Sequence, residues 1–422
     1  MGVRLAVLAS MVCAAGTASA DDQLTLEHAV QLALAHNERS GIAELNVVTA
    51  EASVDRARSA FLPILSAGGS DNYAPWDKSP TNAVKGSLQL NVPIIDPSAF
   101  PLYGEAKHDF EAARVQSIDD KRVLEFDTAK AYIAVLLADQ VVKSAEEKLV
   151  TSKAEVHDTT EQVKTGLTGQ NDVTRADIDL GDSERELTSD QGSLEAAYVA
   201  LEYLIASKVA RGLVTPTTLI AASGKPLGSI DALVAAAIHA RPDLEARREA
   251  AIAAHDFARE PRYRFFPSLG FTATGTAQEY PPPSGHEFDA SFTLSASWTI
   301  YDAGQRAADA KSRDASAEIA DLTTLELTRE VEEQVRQAAA QLAAAQASLI
   351  GAKDAMDASR KSASETATLY KQGLAKAIEL VDANEQRFLA EVNYAEAEFT
   401  QVSAYLALLQ ALGKGPLDPE GP

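Results

Sequence analysis

Residues 335–381 read VRQAAAQLAAAQASLIGAKDAMDASRKSASETATLYKQGLAKAIELV, and this stretch decides the fold. Val335, Leu342, Leu349, Met356, Ala363 and Tyr370 recur every seven residues. Ala338, Ala345, Ala352, Ser359 and Thr366 form a second row of small residues three positions on. Past Gly373 the beat resumes in Val381, Phe388, Ala395, Val402 and Leu409, with Val392, Phe399 and Leu406 as a partner row. A sustained heptad marks long helices packed side by side, and small side chains let their backbones approach closely. No proline interrupts Tyr301 to Gly415, so continuous helix is expected on each side of the glycine turn. One helix over residues 303–371 would be about 100 Å long at ~1.5 Å per residue. That excludes a compact globule.

The 422 residues carry a net charge of −23, which argues against nucleic acid and anionic lipid headgroups as bulk-charge partners. Arg4, an apolar run from Leu5 to Ala15 and Ala18-Ser19-Ala20 read as a cleaved secretory signal over residues 1–20. Cys13, the one cysteine, lies inside that segment without a lipoprotein-type lead-in, so neither a lipid anchor nor a disulfide is expected. No later run is long and apolar enough for a membrane helix, which leaves β-strands as the way across a bilayer.

The chain repeats itself. Phe61-Leu62-Pro63 returns as Phe265-Phe266-Pro267, Pro93-Ile94-Ile95-Asp96 as Thr299-Ile300-Tyr301-Asp302, and Gly166-Leu167 as Gly373-Leu374. The offsets are nearly constant, which points to a duplication. Each half opens with a helix pair (21–62 and 223–266), with Ser229 and Asp243 expected as caps in the second. A β-hairpin follows (63–97 and 267–301), then a long helical hairpin (98–222 with its connecting segment, tip near 166; 302–414, tip near 373), and a short tail closes the chain over 415–422. In the first long hairpin Val135, Val142, Leu149, Val156 and Val163 keep the heptad before Gly166, and Val173, Leu180, Leu187, Leu194 and Leu201 keep it afterwards.

Between the helices the period falls to two. From Phe288 to Trp298 apolar even positions alternate with polar odd ones; Val84–Ile94 and Ser268–Gln278 do the same, and Ile64–Tyr73 only weakly. Runs of about 10 alternating residues suit transmembrane strands. Tyr73, Trp76, Tyr280, Trp298 and Tyr301 fall near the strand ends, where interfacial aromatics belong. Four strands cannot close a barrel and an open edge in lipid leaves backbone groups unpaired, so oligomerisation is expected: two copies would give eight strands, three would give twelve. Alternation alone leaves a water-exposed sandwich sheet open as the other reading.

No catalytic motif is present, no cofactor is implied, and the seven histidines show no metal-ligand spacing. The competing functional class is a non-conducting exported coiled-coil adhesion or structural protein.

Phe265-Phe266-Pro267-Ser268-Leu269, the segment from Trp298 to Arg306, Tyr370 to Leu374 and Leu380-Val381-Asp382-Ala383, in this order and spacing, resemble the TolC-like outer-membrane efflux protein family over essentially the whole chain after residue 20. The resemblance implies a mainly α fold with a membrane β-barrel part: a homotrimer whose twelve-stranded barrel sits in outer-membrane lipid and continues into an α-helical tunnel across the periplasm. It implies a periplasmic adaptor and an inner-membrane pump of RND, ABC or MFS type as partners. Gly166, Leu167, Gly373 and Leu374 would form the adaptor-facing tips. Asp172, Tyr370, Glu379 and Asp382 match the family's gate positions, whereas its arginine is replaced by Ala375, with Lys376 adjacent. Drug, metal-ion or protein cargo all remain compatible with this reading.

Overall fold

The computed structural model describes residues 23–74, 81–166, 168–279 and 287–418; the signal-like segment, Trp76, Leu167 and Tyr280 lie outside them. Among these residues the order is α1 (Leu26–His36), α2 (Glu38–Ser59), β1 (Ile64–Ala74), β2 (Thr81–Ile95), α3 (Ala99–Lys164), α4 (Gln170–Ile205) and α5 (Thr217–Ser223). The second half supplies α6 (Ile230–Ala240), α7 (Pro242–Tyr263), β3 (Ser268–Gln278), β4 (Phe288–Ser297), α8 (Gln305–Lys371) and α9 (Ala377–Ala411). The 67 residues of α8 form one unbroken helix, as the absence of proline requires.

Local chemistry sets the boundaries. Thr25 Oγ1 accepts from His28 N at 3.2 Å and opens α1, and Asn37 Oδ1 accepts from Arg39 N at 2.9 Å and opens α2. In the second half the capping differs from expectation. Ser229 stands at the N-cap of α6 without a side-chain bond. Arg241 holds the N-cap of α7, because Pro242 at its first turn needs no amide partner, and Asp243 instead forks onto Arg241 at 3.0 and 2.6 Å. α5 falls inside the segment read as a connection; seven residues are too few to show a helical period.

The repeated aspartates mark the passage from strand to helix. Asp302 accepts from the amides of Gly304 and Arg306 and from Arg306 Nε at 2.6 Å; Asp96 likewise accepts from the amide and hydroxyl of Ser98. Arg306 is buried, stacks over Phe265 and donates to the Arg264 carbonyl at 2.9 Å, which ties α8 to the helix end before β3.

Two tiers of helices result. In the tier next to the sheet α2 packs on α3, α3 on α7 and α7 on α8; in the distal tier α4 packs on α3, α3 on α9 and α9 on α8. The long helices α3 and α8 run through both tiers, while the shorter ones succeed each other end to end. Where the tiers meet lies the main core. Leu124, Phe126 and Tyr132 of α3, Leu201 and Ile205 of α4, Leu342 of α8 and Leu406 and Leu409 of α9 are essentially inaccessible there. The buried Tyr132 hydroxyl donates towards the Leu24 and Val214 carbonyls, at 2.7 and 2.6 Å. In the Val335–Tyr370 row Val335, Leu342, Met356, Ala363 and Tyr370 are buried and Leu349 is half-buried.

The sheet is antiparallel in the order β1-β2-β3-β4. Directly opposed residues share a face, so the register sorts every side chain. Leu65 stands opposite Leu90, Leu90 opposite Ala273, Ala273 opposite Phe292; Val92, Phe271 and Leu294 form the next row. The other face carries Ser66, Gln89, Thr274 and Ser291, then Asn91, Thr272 and Thr293. Weakly alternating β1 follows this division only in part: Ile64 stands opposite Asn91 on the polar face, and Asp71 opposite Val84 on the apolar one. The outer edges of β1 and β4 have no partner strand among the described residues.

Candidate functional site

The tips of the two helical hairpins bring most of the predicted gate residues close. α8 ends in a Schellman turn: Gly373 N donates to Tyr370 O and Leu374 N to Leu369 O, both at 2.9 Å, with Gly373 at φ +73°. Gly166 has the same φ of +73° at the end of the first hairpin. The left-handed backbone explains why glycine stands at both turns. Leu374 is 73% exposed, an apolar side chain held outwards at the very end of the molecule.

Tyr370 is buried against Ala377 and Leu380, and half-buried Ala375 packs into the same small cluster. Its hydroxyl meets Thr159 Oγ1 of α3 at 3.3 Å, a polar contact between the two hairpins. Asp172 occupies the first turn of α4 and accepts from Thr168 Oγ1. Glu379 reaches back to the Lys376 amide at 3.1 Å and closes the start of α9. Lys376, Glu379 and Asp382 are all exposed, and the Lys376 ammonium has no carboxylate partner among the described residues. Within one protomer the tip residues are neighbours, not a single network.

A second polar constellation, which the heptad pattern does not disclose, lies further up the hairpins. The α3 row is buried at Val135 and Val142 but only half-buried at Leu149, Val156 and Val163. On a nearly straight helix a seven-residue row drifts by about 20° per heptad, so three heptads carry it to the flank of α3. The face turned to α4 and α9 carries Lys148, Ser152, Glu155 and Thr159 instead. Lys148 Nζ lies 2.8 Å from Glu186 and 2.5 Å from Glu385, 4.5 Å from the centre of the Phe388 ring. Burial works to lower its ammonium, but the two carboxylates outweigh that and hold it above the ordinary lysine range. Ser152 Oγ donates to Asp179 at 2.5 Å. Glu155 takes the Asn384 amide on Oε1, while its Oε2 and the Nε of Arg387 are buried without partners. Burial lifts the Glu155 carboxyl to about 7, with Asp179 and Asp158 adding to the rise and Asn384 and Arg387 opposing it. The i, i+4, i+7, i+11 spacing of these polar residues was the available signal, but it looks identical on a solvated face.

At the helix-proximal end of the sheet Phe265, Phe266, Trp298, Ile300 and Tyr301 stand largely exposed, Tyr301 at 83%. Trp298 Nε1 donates to the Phe265 carbonyl at 2.9 Å, which orients the indole at that rim. Tyr73 is the penultimate residue of β1, at the opposite end of the sheet.

The sequence matches the family described as "Outer membrane efflux protein" twice, over residues 29–207 and 233–414. The chain belongs to this family. The two matched spans coincide with the two repeats, and with the assignment comes the location: an outer-membrane efflux channel protein that extends into the periplasm. Solved structures agree in fold. CusC superposes with a TM-score of 0.82 at 18% identity, covering 92% of each chain. VceC of Vibrio cholerae gives 0.78 at 17%, covering 92% of this chain and 96% of the other. The open state of MtrE from Neisseria gonorrhoeae gives 0.78 at 20%, covering 92% and 89%. No match was found among curated protein sequences. The adhesion reading finds no support in this family.

Proposed function

We propose that three copies of this chain form a passive exit duct, energised by an inner-membrane pump through a periplasmic adaptor. The observation that carries it is the four-stranded sheet with one apolar face, one polar face and two open edges, continuous with long helical hairpins. In lipid the edges of β1 and β4 must pair, and three sheets joined edge to edge give a twelve-stranded barrel with a wall of Ser, Thr, Asn and Gln inside. The tiers then close as twelve helices, α8 of one protomer against α2 and α4 of the next. Rows of exposed apolar residues support that seam: Ile319, Leu322 and Leu325 on α8, and Ile42, Leu45 and Val48 on α2, each more than half exposed.

The tips are the gate and the adaptor-facing end. Threefold symmetry turns Asp172, Glu379 and Asp382 into acidic collars that favour cations at the constriction, and Leu374 offers the adaptor an apolar knob. The Thr159–Tyr370 contact holds the two hairpins together in the closed state; the open state reported for MtrE supports a tunnel whose tips move. The pump class (RND, ABC or MFS) and the cargo follow from the neighbouring components.

Planar-bilayer recording of the detergent-extracted protein tests this reading. Conducting trimers are expected, and Glu379→Gln with Asp382→Asn should raise conductance or weaken blockade by divalent cations. A soluble, non-conducting monomer would remove the duct; unchanged currents in the double variant would remove these two residues from the gate.

A further inference from the structure

The Thr159–Tyr370 contact secures only the last turns of the hairpins. One turn above it α3, α4 and α9 converge on Glu155, whose side chain bridges the two halves of the duplicated chain. Glu155 is 7% exposed, and one carboxylate oxygen is buried without a donor although the Arg387 guanidinium lies close by with its own Nε unpaired. Arg387 spends its reach on Thr151 Oγ1, at 3.4 Å. A buried carboxylate beside an arginine that does not engage it is a poor place for a full negative charge. It suits a protonated carboxyl. The repeat offset places Ser362 where Glu155 would recur in α8, so this group is peculiar to the first hairpin.

We propose that Glu155 is a protonation-controlled latch between the two helical hairpins: neutral, it lets α3 and α9 pack as observed; ionised, it drives them apart. The charges facing it come from each element around it. α3 contributes Lys148, held by Glu186 and Glu385, and Asp158; α4 contributes Asp179; α9 contributes Arg387. α8 brings the neutral Tyr370 hydroxyl one turn below. A carboxyl raised above its ordinary value in the packed state binds its proton more tightly there than in the open one. Packing is therefore favoured fully at acid pH, below the ordinary glutamate value, and is lost progressively as pH rises through about 7. With an ordinary value of 4.5 and a packed value of about 7, the opening constant should rise roughly 20-fold between pH 5.5 and 7.5. The proposal rests on the reading of these hairpins as the moving parts of a gate.

Hydrogen–deuterium exchange on the full-length protein in detergent, corrected for intrinsic pH dependence, reads the latch directly over residues 148–160 and 377–390. The wild type should lose protection there by about 20-fold from pH 5.5 to 7.5, while the core around Tyr132 stays protected. Glu155→Gln should stay protected across the range. Asp179→Asn removes a neighbouring negative charge that raises Glu155, so the midpoint should shift to lower pH and the fold-change should shrink; this variant tests the latch even if Glu155→Gln fails to fold. Flat protection in the wild type, an undiminished slope in Glu155→Gln or an unmoved midpoint in Asp179→Asn would overturn the proposal. Single-channel conductance of the same samples separates it from the gate itself. Exchange that follows pH with constant conductance retains the latch and removes its link to gating. Conductance that follows pH with flat exchange here overturns the latch and leaves the duct.

Discussion

Tyr370→Phe isolates the tip contact. The ring stays in its apolar cluster with Ala377 and Leu380, and the substitution removes only the hydroxyl that meets Thr159 Oγ1 at 3.3 Å. That distance is at the long end for two hydroxyls, and Thr159, 2% exposed, loses its cross-hairpin partner. The loss is about 1 kcal/mol per protomer, a neutral hydrogen bond plus part of a desolvation penalty. If the three protomers open together, the losses sum to ~3 kcal/mol, and the open fraction rises about 100-fold. Single-channel open probability in planar bilayers measures this, with Thr159→Val as the reciprocal change. The double variant should add little to either single one, since both delete the same interaction. An open probability within twofold of wild type, together with a lowered melting temperature, would refute the reasoning: the contact would then stabilise the fold without holding the gate.

Three further outcomes follow from the packing. Leu45→Glu combined with Leu322→Glu places like charges along the proposed seam and should yield monomers in sedimentation analysis, whereas either partner of the exposed Lys143–Asp139 pair can be changed without loss of trimer. Phe292→Arg, on the apolar face in mid-strand, should cost about 2–4 kcal/mol of membrane assembly; Ser291→Arg, its neighbour on the polar face, should assemble normally and alter ion selectivity. Gly413→Ala would force a side chain to within 3.0 Å of Arg241 Cα at φ +76°. It should destabilise by roughly 2–4 kcal/mol, from left-handed strain and overpacking combined, as read by thermal unfolding.

The sequence by itself determined the elements and their repetition. The Val335–Tyr370 beat, the alternation in β3 and β4, the glycine turns and the recurring aspartates are all short-range patterns. Backbone geometry converts such patterns into helix, strand and turn without knowledge of the rest of the chain. The proposed gate positions came from the family resemblance, matched residue by residue beside the two turns. What only the tertiary structure decided is which faces meet. Drift of the heptad on α3 turned its valines aside and buried Ser152 against α4, Glu155 against α9 and Thr159 against Tyr370 of α8. A polar stripe reads the same on a solvated face and at a helix interface, and the partner that distinguishes the two, Asn384, lies 229 residues away. The strand register likewise decided which β1 side chains share a face with their neighbours, Leu65 with Leu90 and Ser66 with Gln89, because a strand's faces are fixed by the strands it pairs with.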